Sequence, residues 1–391
     1  MPPVARQRKI PDTTLMSDLG DIANLRVAIV HDELTRRGGA EAVLEELIRI
    51  VPQANVYALY AGRPQITVDG KTYPVTTSFL QRLPRWWRRR PARVLAFLPY
   101  AAEQLDLAAY DLVISSASAF AKGVVTRSNI PHVCYCHTPT RYAWDTSHQV
   151  LARTPRWQRG FGKMLLHFIR LSDYAAAQRV DHYIANSQWT QERIATYYQQ
   201  PSAVVYPPID TGFFTPTPGG QGSRDYFLCV GRLTPSKQFD QAIAVCEKLG
   251  LRLIIVGTGY DRRRLERLAG ENTTLVGKVS RQELRDYYRN AKAVIQPGEE
   301  DFGMATAEAL ACGTPVIAYG VGGAREVIRH TETGLLYQQP TVEALAEAMR
   351  TFLAEPQAFS TGTLQQSVLR FSIAQFRRGI VRQLEQAIAP D

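Results

Sequence analysis

The sequence predicts an α/β protein built from two doubly wound domains in tandem, and three observations carry that prediction. Short apolar runs rich in branched residues alternate with stretches of helical periodicity along most of the chain, the pattern of parallel sheets covered on both faces. The alternation is interrupted once, where Pro207, Pro208, Pro216, Pro218, Gly219, Gly220 and Gly222 crowd a short polar stretch. A length of 391 residues exceeds one ordinary core and suits two.

The elements follow in order. Residues 1–24 mix Pro2, Pro3, Pro11, Thr13 and Thr14 with charges, lack the basic-then-apolar build of a signal peptide, and read as a loose leader. The first strand is expected at residues 25–30. After Arg37, Gly38 and Gly39 comes a helix with Val43, Leu44, Leu47, Ile48 and Val51 on one face. Strands at 111–115, 132–136, 182–185 and 203–206, with helices between them, complete a first domain over residues 25–206. Residues 207–224 are the linker. Strands at 226–230, 251–256, 274–276, 293–296 and 315–318 make a second domain over residues 225–370. Residues 371–391 carry Ile373, Phe376, Ile380, Leu384 and Ile388 at helical spacing. Two such domains would face each other across a cleft and take ligands there, at the carboxyl ends of their strands.

Composition narrows the classes. Hydrophobic content of 45% with 21% charged residues excludes wholesale disorder. The five cysteines, Cys134, Cys136, Cys229, Cys246 and Cys312, form neither a zinc spacing nor a disulfide framework and fit a reducing compartment. No run of about 18 apolar residues exists, so no transmembrane helix is expected on length. A net charge of +10 points to acidic partners: nucleic acid, anionic lipid, or a substrate that carries phosphate.

The most informative segment runs from Gln296 to Ile317. Glu300 lies in a loop after a strand and Glu308 on the following helix, eight positions on. Eight helical residues span ~12 Å, so two carboxylates can grip different parts of one ligand, such as a sugar and a ribose joined by a diphosphate. The helix amino terminus between them offers free N–H groups to phosphate. Upstream, Arg232 and Lys237 stand five apart on a turn into a helix, where two cations suit a diphosphate leaving group. Gly257 and Gly259 suggest a dinucleotide loop, but Arg262 replaces the third glycine of that fingerprint, which disfavours hydride transfer. Gly38 and Gly39 let a backbone approach a phosphate, or simply make a tight turn. His137 ends a strand and runs into a polar and aromatic loop holding Arg141, Tyr142, Trp144 and Asp145. Ser187 is placed to cap a helix.

The Glu300–Glu308 segment, with Gly303, Gly313 and Pro315, resembles the signature of glycosyltransferase family four, which has the GT-B fold of two Rossmann-like domains. The resemblance spans most of residues 25–376. It implies that Glu300 holds the hydroxyls of a donor sugar and Glu308 those of a ribose. Phe302, Gly303 and Met304 would bring backbone amides to sugar and phosphate, with Arg232 and Lys237 on the diphosphate. Gly257, Gly259, Lys278 and Val279 would border the nucleotide, and Gly38 and Gly39 the phosphates. The pattern from His137 to Asp145 is similar to a bacterial subgroup that includes mannosyltransferases. It implies His137 near the donor sugar and Arg141, Tyr142, Trp144 and Asp145 on the acceptor side, although Asp145 also reads as a helix cap. Lys122 would hold an acceptor phosphate. Gly322, Gly323 and Glu326 read as structural. The C-terminal helix is expected to pack back on the first domain.

The activity so implied is retaining transfer of a hexose from a nucleoside-diphosphate sugar, best GDP-mannose with a UDP-sugar behind it. The acceptor would be lipid-linked or a glycan. No Asp-x-Asp pattern is present, so no metal and no other cofactor is expected. Residues 82–93 hold Arg82, Arg85, Trp86, Trp87, Arg88, Arg89, Arg90 and Arg93, suited to an anionic membrane surface. A second cluster over residues 153–170 mixes Trp157, Phe161 and Phe168 with five basic residues. The expected place is cytoplasmic, peripheral on the inner face of the plasma membrane; no nucleic-acid module accompanies the charge. Two rivals stand beside this reading: a nucleotide-sugar epimerase or phosphorylase on the same fold, and a non-catalytic sugar-binding protein.

Overall fold

A computed structural model describes residues 20–36, 38–84, 94–218, 224–355 and 359–389. It contains two Rossmann-like α/β domains, each with its own sheet.

The first apolar run forms β1, Val27–Leu34, whose first five residues are all buried. The strand continues past the apolar residues through His31, Asp32 and Glu33 because it pairs in parallel with a neighbour on each side. The Gly39–Ile50 helix follows and buries Val43, Leu44, Leu47 and Ile48, the face that the 3.6-residue period marks out. Three strands come next that the apolar pattern does not announce: β2 (Asn55–Ala61), β3 (Gln65–Val68) and β4 (Lys71–Thr77). The last two form an antiparallel hairpin turning at Asp69 and Gly70, both with positive φ. Then come β5 (Leu112–Ala117), β6 (His132–Cys136), β7 (His182–Ala185) and a short β8, Ala203–Val204. The sheet order is β3-β4-β2-β1-β5-β6-β7-β8.

The second sheet holds β9 (Tyr226–Val230), β10 (Leu253–Val256), β11 (Thr273–Gly277), β12 (Ala291–Gln296), β13 (Val316–Tyr319) and β14 (Gly334–Tyr337). All neighbours pair in parallel, in the order β11-β10-β9-β12-β13-β14. Counted from β9 this is 3-2-1-4-5-6, so the winding direction reverses between β9 and β12. At that reversal the loops leaving two adjacent strands diverge to opposite faces and open a crevice at the carboxyl ends.

The described residues fall into two compact units. One comprises those up to Tyr135, residues 140–183 and those from Arg377 on; the other comprises 136–139 and 184–376. Within the first unit, Arg377 of the Ile373–Ile388 helix donates to Glu46 at 2.8 Å, and Gln383 bonds His182 at 2.7 Å. All five cysteines are buried and unpaired with one another. Among the described residues no helix is long and apolar enough to cross a membrane.

Candidate donor-binding site

The second unit gathers most of the residues singled out in the sequence at the reversal of its sheet. After β9 the chain passes Gly231, where φ is +157°, then exposed Arg232, buried Leu233, and a single 3-10 turn ending in Lys237. Gln238 in the left-handed region then starts the Phe239–Leu249 helix. After β12 the chain passes Gly298 and reaches Glu300. The Lys237 ammonium lies against Glu300 Oε1, and the two side chains are only 19% and 17% exposed. Gln296, at the end of β12 and buried, donates to the same oxygen at 2.9 Å. Gly298 makes this meeting possible: a Cβ there would stand 2.3 Å from the Ser236 carbonyl.

The neighbouring strand ends close tightly around the same place. Gly257 has φ of +146°, and a Cβ on it would stand 1.8 Å from the Gly231 carbonyl oxygen. On Gly259 it would stand 2.1 Å from that of Leu233. Gly257 donates to the Gly277 carbonyl at 2.8 Å, joining the ends of β10 and β11. Exposed Lys278 and half-buried Val279 follow directly, before Ser280 and Glu283 form a reciprocal cap on the Arg281–Asn290 helix. The two glycines therefore serve close backbone contact between strand ends. They do not build a dinucleotide loop.

Past Glu300, Phe302 is buried among Tyr206 and Phe371, with ring centroids 5.7 and 5.0 Å away. Gly303 then turns at φ +92° and the Met304–Ala311 helix begins with no side-chain cap on its first N–H groups. Gly322 and Gly323 pack against the backbone of this loop, and Gly323 donates to the Glu300 carbonyl at 2.9 Å. The Glu326 carboxylate accepts from the backbone N–H groups of Gln188 and Trp189 at 2.9 and 3.0 Å, at the start of the Gln188–Tyr198 helix that Ser187 caps through the Thr190 N–H. Gly322, Gly323 and Glu326 thus each contact the backbone of a neighbouring loop or helix.

Glu308 lies on the Met304–Ala311 helix. It accepts from the Tyr288 hydroxyl at 2.9 Å. Burial pushes its carboxyl up to about 7, against the pull of Tyr288 and of Arg281.

Motif reasoning missed a further charge in the loop. Asp301 pairs with Arg193 and accepts from the Thr138 hydroxyl at 3.1 Å, directly beside half-buried His137, whose carbonyl accepts from Asn186 at 2.8 Å. The position of Asp301 inside the richest motif was the available signal; its partners lie 108 and 163 residues away.

The first unit departs from expectation at Lys122. Its ammonium is 1% exposed and paired at 2.5 Å with Asp173, itself fully buried. Asp173 also accepts from Thr140 at 2.8 Å and from the Trp144 indole at 2.7 Å. The backbone N–H groups of residues 118–121 all point to Asp32, at 2.5–2.9 Å. An anion cradle and a cation do lie after β5, but the protein's own Asp32 and Asp173 fill them. Lys122 is therefore a structural residue and no holder of an acceptor phosphate. Gly38 precedes the Gly39–Ile50 helix, again with no side-chain cap. In the 141–145 loop, Arg141, Tyr142 and Trp144 are half-buried, and Tyr142 packs on Phe120 with centroids 6.5 Å apart. Asp145 is exposed, and the next helix takes Thr146 as its N-cap residue.

The fold is that of the GT-B glycosyltransferases. Anabaena HepE in complex with UDP and glucose superposes with a TM-score of 0.66 at 18% identity, over 92% of this chain and 99% of that one. Residues 37–213 match the family model Glycosyltransferase Family 4, and residues 217–362 match Glycosyl transferases group 1. Among curated relatives is the GDP-mannose-dependent alpha-(1-6)-phosphatidylinositol monomannoside mannosyltransferase of Mycobacterium tuberculosis, 29% identical over 43% of this chain and 51% of its own length. Another is the D-inositol 3-phosphate glycosyltransferase of Kineococcus radiotolerans, 29% identical over 48% and 52%. The match spans about half the length of these relatives. Together the matches make this chain similar to glycosyltransferases of family four over most of its length.

Proposed function

We propose that the chain transfers a hexose, mannose from GDP-mannose, to a lipid-linked or glycan acceptor with retention of anomeric configuration. It does so at the inner face of the plasma membrane and without a catalytic metal. The observation that carries this reading is the contact among Lys237, Glu300 and Gln296 at the reversal of the second sheet. A lysine and a glutamate that neutralise each other are each matched to one part of a nucleotide sugar. On binding, the diphosphate takes the place of Glu300 on Lys237, and the sugar hydroxyls take the place of Lys237 on Glu300. Neither charge is then left unpaired in either state.

Arg232 and Lys237 stabilise negative charge as the bond from the anomeric carbon to the diphosphate oxygen breaks. The acceptor hydroxyl attacks the same face, and its proton passes to the departing phosphate oxygen, so a nucleoside diphosphate and a glycoside with the original configuration result. His137 and Glu300 border the sugar; Glu308 receives the ribose hydroxyls; Lys278 and Val279 border the base. Phe302, Gly303 and Met304 present backbone amides, and Gly38 and Gly39 reach the phosphates from their own loop. Arg141, Tyr142, Trp144 and Asp145 border the acceptor. The mannose assignment is supported by the GDP-mannose-dependent relative at 29% identity.

The test is nucleotide release from GDP-mannose and from UDP-glucose, with and without a mannoside acceptor. The reading requires acceptor-stimulated GDP release that survives a chelator. Conversion of the nucleotide sugar to an isomer without nucleotide release would instead mark an epimerase.

A further inference from the structure

The Arg159–Ala177 helix of the first unit carries two apolar faces, and among the described residues only one of them is buried. Leu166, Ile169, Ala176 and Ala177 are buried, together with Asp173. Phe161, Met164, Phe168 and Leu171 are 64%, 62%, 55% and 57% exposed. Their spacing of three, four and three residues makes one stripe, and at 3.6 residues per turn it runs roughly opposite the buried face. Just before the helix, Trp157 is 83% exposed. Singly exposed apolar residues are ordinary; five large ones on one side of one segment are not.

Apart from buried Asp173, the charges on this segment have one sign. Between Ser147 and Ala177 the only acidic residue is Asp173, which is buried against Lys122, whereas Arg156, Arg159, Lys163 and Arg170 are basic. Lys163 and Arg170 also line a cavity of about 400 Å³ with His148, Ser147, Leu151 and Leu166, on the flank between the two apolar faces. The order across the helix is thus a buried seam, a basic flank with a cavity, and an exposed apolar stripe. That order matches a water–bilayer interface, with cations at headgroup depth and aromatic and aliphatic groups below them.

We propose that this helix is the membrane-docking surface of the protein, and that it binds anionic phospholipid: the Phe161, Met164, Phe168 and Leu171 stripe enters the acyl boundary with Trp157, and the cavity at His148, Lys163 and Arg170 takes a lipid phosphate. The inference deepens the membrane part of the proposed function. It is independent of residues 85–93, which lie outside the described residues, while Arg82 beside them is exposed. Each cation near the surface adds attraction that salt screens, whereas the apolar stripe adds a part that salt does not remove.

The experiment is co-sedimentation of the full chain with vesicles of phosphatidylcholine alone or mixed with phosphatidylglycerol, with no sugar donor present. Failure here therefore leaves the transferase reading standing. The wild type is expected on the mixed vesicles and far less on the neutral ones. The variant F161S/M164S/F168S is expected to lose about tenfold or more in vesicle affinity with an unchanged melting temperature, since none of the three side chains is buried. K163E, at an exposed position, is expected to weaken binding to mixed vesicles only. Equal binding of the triple variant and the wild type would overturn the proposal, as would loss of binding on neutralising Arg85, Arg88, Arg89 and Arg90 while the triple variant stays bound. Conversion of a wild-type dimer into a monomer by the triple substitution would show that a second copy of the chain covers this face, and would overturn it too.

Discussion

Replacing Lys237 with Ala tests the site at its centre, because two different effects are expected with separate readouts. The first is on rate. One positioned cation on a developing phosphate charge is worth ~100-fold or more, about 2.7 kcal/mol of activation free energy. The second is on stability. Lys237 and Glu300 are 19% and 17% exposed and in contact, so the pair lies between a surface ion pair and a fully buried one. Removing the cation leaves Glu300 with Gln296 as its remaining donor in this cluster, at a cost of ~1–3 kcal/mol. In a domain of this size that lowers the melting temperature by about 2–4 °C per kcal/mol. Turnover at saturating donor and thermal melting, measured on Lys237→Ala, Glu300→Ala and the double variant, separate the two. The stability losses should be less than additive, because either single change already breaks the pair. Near-normal turnover of Lys237→Ala at saturating donor would refute the leaving-group role.

Four further outcomes follow from the same geometry. Glu308→Ala should raise the donor KM while Glu300→Ala lowers kcat, since the ribose contact is alike in ground and transition states and contacts to the sugar ring tighten during transfer; identical kinetic patterns would erase that division. Burial raises the Glu308 carboxyl from an ordinary 4.5 to about 7, so between those values the folded state holds more protons than the unfolded one. Stability should fall as pH rises across that window and flatten above it, and donor affinity should strengthen as the carboxylate ionises near pH 7; calorimetry on Glu308→Gln should show neither trend. Asp173→Ala should destabilise the first unit by ~3–5 kcal/mol by leaving the buried Lys122 charge without its carboxylate, read as a lowered melting temperature. Gly257→Ala should fail to fold or to bind nucleotide sugar, because its Cβ would sit 1.8 Å from the Gly231 oxygen; a variant with a normal melt and normal donor binding would contradict the packing.

Sequence and structure agree where a signal is local. The strand at 226–230 matches β9 residue for residue, because a short apolar run between Asp225 and Gly231 has few other uses. The Lys237–Glu300 pairing was legible only as two halves of a motif, since spacing along a chain does not report contact across 63 residues. The β2–β4 region escaped because Asn55–Ala61 is poor in branched residues and the hairpin lies at a sheet edge with half its residues exposed. Its Asp69-Gly70 turn was the signal that could have found it. Lys122 misled because a lysine after a strand looks the same whether its ammonium faces a ligand or an aspartate 51 residues on. Asp32 escaped for the same reason: the four N–H groups it binds are 86–89 residues away.

The central claim is retaining transfer from a nucleoside-diphosphate sugar, and time-resolved proton NMR of GDP-α-mannose turnover with a soluble mannoside tests it most directly. GDP and an α-mannosyl product should appear together from the first time points, with both rates lowered ~100-fold in Lys237→Ala. A β-mannosyl product would contradict the retaining reading, and an unchanged signal for GDP-mannose and every other nucleotide sugar would contradict the transferase itself.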